Sequence, residues 1–280
     1  MGRIFASHWS DYELIDAGGG NKLERWGEII TIRPDVNAYF KSGESISEWR
    51  KKAHVEFKEN THVKGEWKKL KETPENWSIK YRALNFNLRF TPFKHIGIFP
   101  EQEYNWNWIS ENVNSDTKVL NLFAYTGASS VVARKNGADT FHVDSIKTVN
   151  NWAKSNMESS GLSDIRWVTE DALKFITREA KRGNSYDLIL MDPPAFGLGP
   201  NKKRWKIENQ YEPLLNAALE ILRPSGHIIL NTYSPRLKEG KILEFLKAKK
   251  QLSSYQVDTL CIKSKSGKRL EYGIRTLIKK

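Results

Sequence analysis

The run Met191-Asp-Pro-Pro-Ala-Phe196 directly follows an apolar stretch, Tyr186-Asp187-Leu188-Ile189-Leu190. A buried strand ending in an acid, two prolines and an aromatic is equipped to hold a planar, amine-bearing group such as a nucleobase. Pro193 and Pro194 fix φ and remove two N–H donors, so the carbonyls before and between them face outward as acceptors. Asp192 adds a carboxylate, and Phe196 offers a flat ring for stacking. The same residues also read as a strand followed by a Pro-rich turn, and a short motif takes its meaning from its surroundings.

Those surroundings hold two more acids at comparable places. Asp144 ends the apolar run Thr140-Phe-His-Val143, where a carboxylate can accept both hydroxyls of a ribose. Asp171 follows Ile165-Arg-Trp-Val-Thr169, where it can accept from an adenine amino group or simply cap a helix. Between Lys118–Phe123 and the next helix lies Ala124-Tyr125-Thr126-Gly127. It lacks the G-x-G-x-x-G spacing of dinucleotide sites, although one glycine still lets the backbone pass close to a ligand. Three acids just past successive strands form a pattern that each acid alone does not.

The elements that must position these residues alternate. Strands are expected at Lys118–Phe123, Thr140–Val143, Ile165–Thr169, Tyr186–Met191 and His227–Asn231. Helices are expected at Gly127–Asn136, Ile146–Ser159, Asp171 to about Lys181, Tyr211–Leu222 and Lys238–Lys250. This spacing indicates an α/β fold with a doubly wound, mostly parallel sheet. Gln256–Lys263 and Leu270–Ile278 read as a closing hairpin around Lys265-Ser266-Gly267, so the sheet should end with an antiparallel strand. Residues 1–90 differ: short strands at Tyr12–Ile15, Lys22–Trp26 and Glu28–Ile32 suggest a small β-rich appendage, with an irregular middle from Lys41 to Glu75. Trp9, Trp26, Trp49, Trp67 and Trp77 are expected to build its core rather than to stack on bases. The domain division is then 1–90 for the appendage and 91–280 for the α/β domain.

Composition narrows the partners. The chain has 280 residues and 39% apolar content, and no stretch approaches the ~20 apolar residues of a membrane span. The N-terminus shows no long apolar signal segment. The single cysteine, Cys261, forms no internal disulfide and supports no Cys-based zinc site, and the six histidines show no paired metal-ligand spacing. A cytoplasmic protein without metal or membrane association is expected. The net charge is +12, and the last 45 residues, Arg236–Lys280, carry 13 basic and 4 acidic side chains. That balance favours an anionic partner, nucleic acid first, although it leaves open a protein that is merely soluble and basic. Lys202, Lys203 and Arg204 follow the Asp-Pro-Pro run in Gly197–Asn209, where they can meet phosphates or form a solvated loop.

The motifs NLFAYTGASS, FHVDSIKTVNNWAKSN, EDALKFI and LILMDPPAF resemble the class I S-adenosylmethionine-dependent methyltransferases. Among these they are similar to the ribosomal RNA group that includes the large-subunit cytosine C5 enzymes. The resemblance covers Phe99–Ser234 well and the N-terminal β segment loosely. It implies a seven-stranded Rossmann-like sheet and S-adenosyl-L-methionine as cofactor. It also implies that Phe123, Tyr125, Thr126 and Gly127 line the methionine side, Asp144 with Ser145 the ribose, and Asp171 with Ala172 the adenine. Gly97–Gln102 matches a short entry motif of the group, which makes Gln102 a cofactor contact by resemblance.

One departure matters. The C5 enzymes attack the ring with a cysteine placed after the fifth strand, whereas here that place reads Asn231-Thr232-Tyr233-Ser234. A tyrosine hydroxyl, with an ordinary pKa near ~10, is no substitute nucleophile at neutral pH. Tyr233 is therefore expected to contact substrate, and transfer to nitrogen is favoured over carbon. The catalytic set is then Asp192, Pro193, Pro194 and Phe196, acting on an RNA base extruded into the pocket. The alternatives are a methyltransferase for DNA, protein or a small molecule, and a non-catalytic nucleic-acid binding module. Cys261→Ser should keep methyl transfer, and RNA carrying 5-fluorocytidine should form no covalent adduct. A cross-linked band lost in the Cys261 variant would restore the carbon-methylating reading.

Overall fold

The computed structural model describes residues 2–61, 64–198 and 204–280. It divides into two units. One gathers Asn105–Leu260 with the first residues and Gly273–Lys280; the other gathers Phe5–Tyr104 with Cys261–Tyr272.

The chain opens with β1 (Gly2–Ala6), then β2 (Tyr12–Gly18), β3 (Asn21–Trp26) and β4 (Ile29–Pro34). These are followed by α1 (Ile46–Lys52), β5 (Val55–Glu59), β6 (Gly65–Lys69) and the hairpin β7 (Asn76–Tyr81)–β8 (Leu84–Arg89). Strands β2 to β6 form a five-stranded sheet in sequence order, with β4 and β5 parallel. The stretch 41–75 is thus more regular than expected. Helix α1 starts at a capping-box pattern, Ser45-Ile-Ser-Glu48, in which the Ser45 side chain accepts from the Glu48 N–H at 3.3 Å. Strand β6, Gly-Glu-Trp-Lys-Lys, has no buried residue, so it carries no apolar alternation to read. Of the five tryptophans, Trp26 and Trp49 are fully buried. Trp9, Trp67 and Trp77 are half-buried against other rings.

The second half supplies α2 (Glu103–Asn112), β9 (Lys118–Leu122), α3 (Ala128–Lys135), β10 (Asp139–Asp144), α4 (Lys147–Ser159), β11 (Ile165–Thr169), α5 (Ala172–Lys181) and β12 (Tyr186–Met191). A short ribbon follows, β13 (Phe196–Leu198) and β14 (Arg204–Lys206). Then come α6 (Ile207–Ile221), β15 (Leu222–Thr232), α7 (Glu239–Lys247), β16 (Ser254–Lys263) and β17 (Arg269–Lys279). The main sheet runs β1-β16-β17-β15-β12-β9-β10-β11. Strands β15, β12, β9, β10 and β11 are parallel, and β17 is antiparallel to β15. The expected seven strands are present, and β1 adds an eighth at the edge.

Residues Leu188–Met191 of β12 are all buried, as befits a strand covered on both faces. Leu120 and Leu122 of β9 join Ile176, Tyr211, Leu214 and Leu215 in one core cluster, and the other face of β9 turns toward α3. Helix α6 begins four residues earlier than expected and contains Pro213. A proline reads as a first-turn residue, but buried Ile207 and Tyr211 extend the apolar stripe upstream of it. Strand β15 likewise begins before the Pro224-Ser225-Gly226 turn, because its register against β12 shifts between Tyr186 and Leu188. Gly226 fits there because a Cβ would sit 2.9 Å from the Asp187 and Arg223 carbonyl oxygens.

Candidate active site at the carboxyl ends of the parallel strands

From β9 the chain steps outward to β10 and β11, then returns to the other side of β9 as β12. In open α/β sheets, ligands bind at the strand ends beside such a reversal. Strand β10 ends in Asp144, and the turns after β9, β11 and β12 carry the loop 123–127, Asp171 and Asp192 respectively.

Backbone bonds stitch these turns together. The Ala124 N–H donates to the Val143 carbonyl at 3.1 Å, Glu170 N–H to the Asp144 carbonyl at 3.2 Å, and Asp192 N–H to the Leu122 carbonyl at 3.4 Å. Phe123, Tyr125 and Gly127 have φ of +55°, +50° and +83°. Two bulky residues in the left-handed region mark stored backbone strain. Gly127 is required twice over, since a Cβ would meet the Ala153 Cβ at 2.9 Å as well as adopt positive φ. The Tyr125 N–H donates to Asp144 Oδ2 at 3.0 Å, and the Ile146 N–H to Asp144 Oδ1 at 3.0 Å. Burial raises the Asp144 pKa from its ordinary value, against the pull of these N–H groups. Each carboxylate oxygen spends one lone pair on the backbone and keeps capacity for another donor.

Below this loop lies a buried polar chain that the sequence reading missed. Asn121 Nδ2 donates to Ser130 Oγ at 2.9 Å, and Ser130 Oγ meets His142 Nδ1 at 3.0 Å. His142 Nε2 meets Asn150 Oδ1 at 3.1 Å. Asn150 Nδ2 shares its hydrogens among the Asp144 carbonyl at 3.2 Å, the Val168 carbonyl at 3.1 Å and Thr169 Oγ1 at 2.8 Å. With Nδ2 so committed, Asn150 Oδ1 is the acceptor, which puts the His142 proton on Nε2. The available signal was Asn150 and Asn156 lying on the apolar stripe of α4 with Ala153 and Met157.

Asp171 is the N-cap of α5 and accepts from the Lys174 N–H at 2.9 Å, so the capping role exists. Ala172 is buried and Ser145 exposed. Ile146, which the sequence reading passed over, is 54% exposed directly beyond Asp144. Thr126 is buried, and its carbonyl accepts from Asn156 Nδ2 at 2.9 Å. Gln102 is buried in the other unit, in the turn Pro100–Gln102.

After β12, Asp192 is half-buried, Pro193 buried and Pro194 exposed. The aromatic braced against the β9 loop is Trp205. Its Nε1–H donates to the Pro194 carbonyl at 2.7 Å, and its ring centroid lies 5.1 Å from that of Phe123. Phe196 is instead 75% exposed, at the start of β13. Tyr233 is half-buried beyond β15, and Gly273 on β17 leaves it room, since a Cβ there would sit 3.0 Å from the Tyr233 ring. Ser234 donates to the Glu208 carboxylate at the start of α6. Arg204 is exposed on β14, while Lys202 and Lys203 lie outside the described residues. The strand ends thus gather an outward carboxylate, a strained glycine-bearing loop and an acceptor-rich proline turn.

A model of S-adenosylmethionine-dependent methyltransferases matches residues 31–261. The chain belongs to this family. A SAM-dependent methyltransferase from Agrobacterium tumefaciens shares 33% identity and a TM-score of 0.90, over 100% of this chain and 96% of that one. The ribosomal RNA large subunit methyltransferase K/L of Pseudoalteromonas atlantica is 30% identical over 187 residues, 65% of this chain and 25% of the relative. That of Shewanella woodyi is 33% identical over 172 residues, 59% of this chain and 23% of the relative. The methyltransferase therefore spans about a quarter of the length of these curated relatives. It is an enzyme that uses S-adenosyl-L-methionine. None of its helices is long and apolar enough to cross a membrane among the described residues.

Burial lowers the pKa of His142 to about 3. The unfolded chain protonates this ring near 6.5 and the folded chain only near 3, so between those values the unfolded state binds more protons. The stability contributed by neutral His142 is full above pH 6.5 and is lost as pH falls toward 3. Wild type should therefore lose about 2 kcal/mol between pH 7 and pH 5 that His142→Gln does not lose. Urea midpoints at the two pH values measure the difference, and parallel acid limbs would refute a buried neutral ring.

Proposed function

We propose that this methyltransferase transfers a methyl group to a nitrogen of a base in RNA, ribosomal RNA first. The observation that carries the reading is the Asp192-Pro193-Pro194 turn, bonded to the end of β9 through the Asp192 N–H and the Leu122 carbonyl at 3.4 Å. The net charge of +12 and the names of the large-subunit relatives support an RNA substrate. Nitrogen is favoured because Tyr233 follows β15 and Cys261 is fully buried within the other unit. A ribosomal substrate would place the enzyme in the cytoplasm.

The residues fit the cofactor. Asp144 retains acceptor capacity for a ribose diol, Asp171 can accept from an adenine amine beside its capping bond, and Ile146 offers apolar cover for the ring. Phe123, Tyr125, Thr126 and Gly127 would line the methionine portion, with Ser145 and Ala172 at the edges. When bound, S-adenosylmethionine supplies a methyl group activated on a sulfonium. The protein's part is alignment and exclusion of water. The Asp192 carboxylate, with the carbonyls of Asp192 and Pro193, accepts the amine hydrogens and turns its lone pair toward the cofactor. The Pro194 carbonyl is already taken by Trp205. Asp192 then accepts the proton that the amine releases, and Tyr233 forms part of the base pocket.

Tritium transfer from labelled cofactor to rRNA, tRNA, DNA and protein, followed by mass mapping of the nucleoside, tests the reading. Label confined to RNA on an exocyclic or ring nitrogen is the expected result; label in protein alone, or on carbon, would overturn it. Asp144→Ala should weaken cofactor binding by roughly one to two decades. Asp192→Ala should lower turnover about a hundredfold, a loss of ~3 kcal/mol in the transition state, and leave cofactor affinity largely intact.

A further inference from the structure

The proline turn runs straight into the β13–β14 ribbon, whose antiparallel register pairs Phe196 with Lys206, Gly197 with Trp205 and Leu198 with Arg204. Side chains alternate along a strand, so the ribbon has two faces. One carries Trp205, locked to the Pro194 carbonyl and the Phe123 ring. The other carries Phe196, Lys206 and Arg204, all exposed. Among the described residues, neither Arg204 nor Lys206 enters an ion pair.

We infer that this outer face is a strip for the single-stranded RNA beside the methylated base, with Phe196 stacking on a neighbouring base and Arg204 and Lys206 meeting phosphates. The inference rests on the RNA reading above and gives Phe196 a different task from stacking on the target. Trp205 is the ring on the face of the ribbon that meets the Phe123 loop, and alternation sends Phe196 the other way. An aromatic ring with cations outside any ion pair beside it is the combination that holds single strands: the ring takes any base, and the cations follow the backbone. Phe196 and Lys206 are directly opposed, so ring and charge sit side by side on one surface. The inner face fixes the ribbon, so the strip is pre-organised rather than formed on binding. Phe196 lies three residues beyond Pro193, at most about 10 Å of extended chain, which keeps the strip close to the proposed base acceptors.

The test uses the full chain and a fluorescent single-stranded RNA oligonucleotide, with anisotropy for affinity and steady-state methyl transfer for KM and kcat. Phe196→Ala should raise Kd and KM for RNA roughly tenfold or more, and Phe196→Trp should restore them where Phe196→Leu does not. Arg204→Ala and Lys206→Ala should each lower the log–log salt slope by about 0.7. Cofactor affinity by calorimetry should be the same in all, which also reports folding. Wild-type Kd and salt slope in these variants would overturn the strip. A fall in kcat at saturating RNA with unchanged Kd in Phe196→Ala would return Phe196 to the target base and overturn it too. A wild type that binds RNA through these residues but transfers no methyl to it would sink the RNA-methylation reading while leaving the strip standing.

Discussion

The side chain of Asn150 sets the geometry on which the site depends. Parallel strands end where ladder pairing stops, and there the Asp144 carbonyl accepts from the Glu170 N–H at 3.2 Å and has a second lone pair to satisfy. At the ends of β10 and β11 one amide answers the Asp144 and Val168 carbonyls and the Thr169 hydroxyl together. The last paired residues of the two strands are thereby tied a second time. Losing this amide also strips the buried His142 Nε2–H of its Asn150 Oδ1 acceptor, and a buried donor left unsatisfied costs about 1–3 kcal/mol. His142 and Ser130 carry the tie across to Asn121 on β9, so the turns at these three strand ends share one polar chain.

Above that chain, Asp144 and the β9 loop are mutually dependent. The carboxylate accepts from Tyr125, whose positive φ is sustained by this bond and by the tight passage at Gly127. Trp205 then joins the same loop to the proline turn. In the proposed reaction, cofactor and base must meet in line, and the chain's contribution is to keep two turns at a fixed separation. A ring wedged between Phe123 and the Pro194 carbonyl does that from outside the reacting groups. Two short ties, one beneath the loop and one beside it, thus hold the loop and the proline turn together.

Much of this was legible in the sequence. Ile165–Thr169 and Tyr186–Met191 are apolar runs closed by acids or prolines, and both strands have those bounds. Asp171 at the start of α5 was readable as a cap because an Asp just before an apolar helix can accept from a first-turn N–H. What escaped depends on tertiary context. The β13–β14 ribbon is three residues a side, too short for periodicity to register. Trp205 escaped because its partners are 11 residues back and on another strand end. Asn150 looked like a polar helix residue, because what makes it important is burial, which no single residue type announces. Helix α1 had its Ser-x-x-Glu signal in plain view within a stretch otherwise polar enough to pass for a loop.

If the buried Asn150 ties shape the proposed cofactor pocket, removing them must weaken ligand binding. Calorimetric titration of Asn150→Leu with S-adenosylhomocysteine, alongside its urea midpoint, tests this most directly. The replacement keeps the approximate volume and removes every bond of the amide. The variant should still unfold cooperatively but bind the ligand at least tenfold more weakly than wild type. Wild-type affinity in a folded Asn150→Leu protein would contradict it, because Asp144 and its loop would then hold their places without the tie.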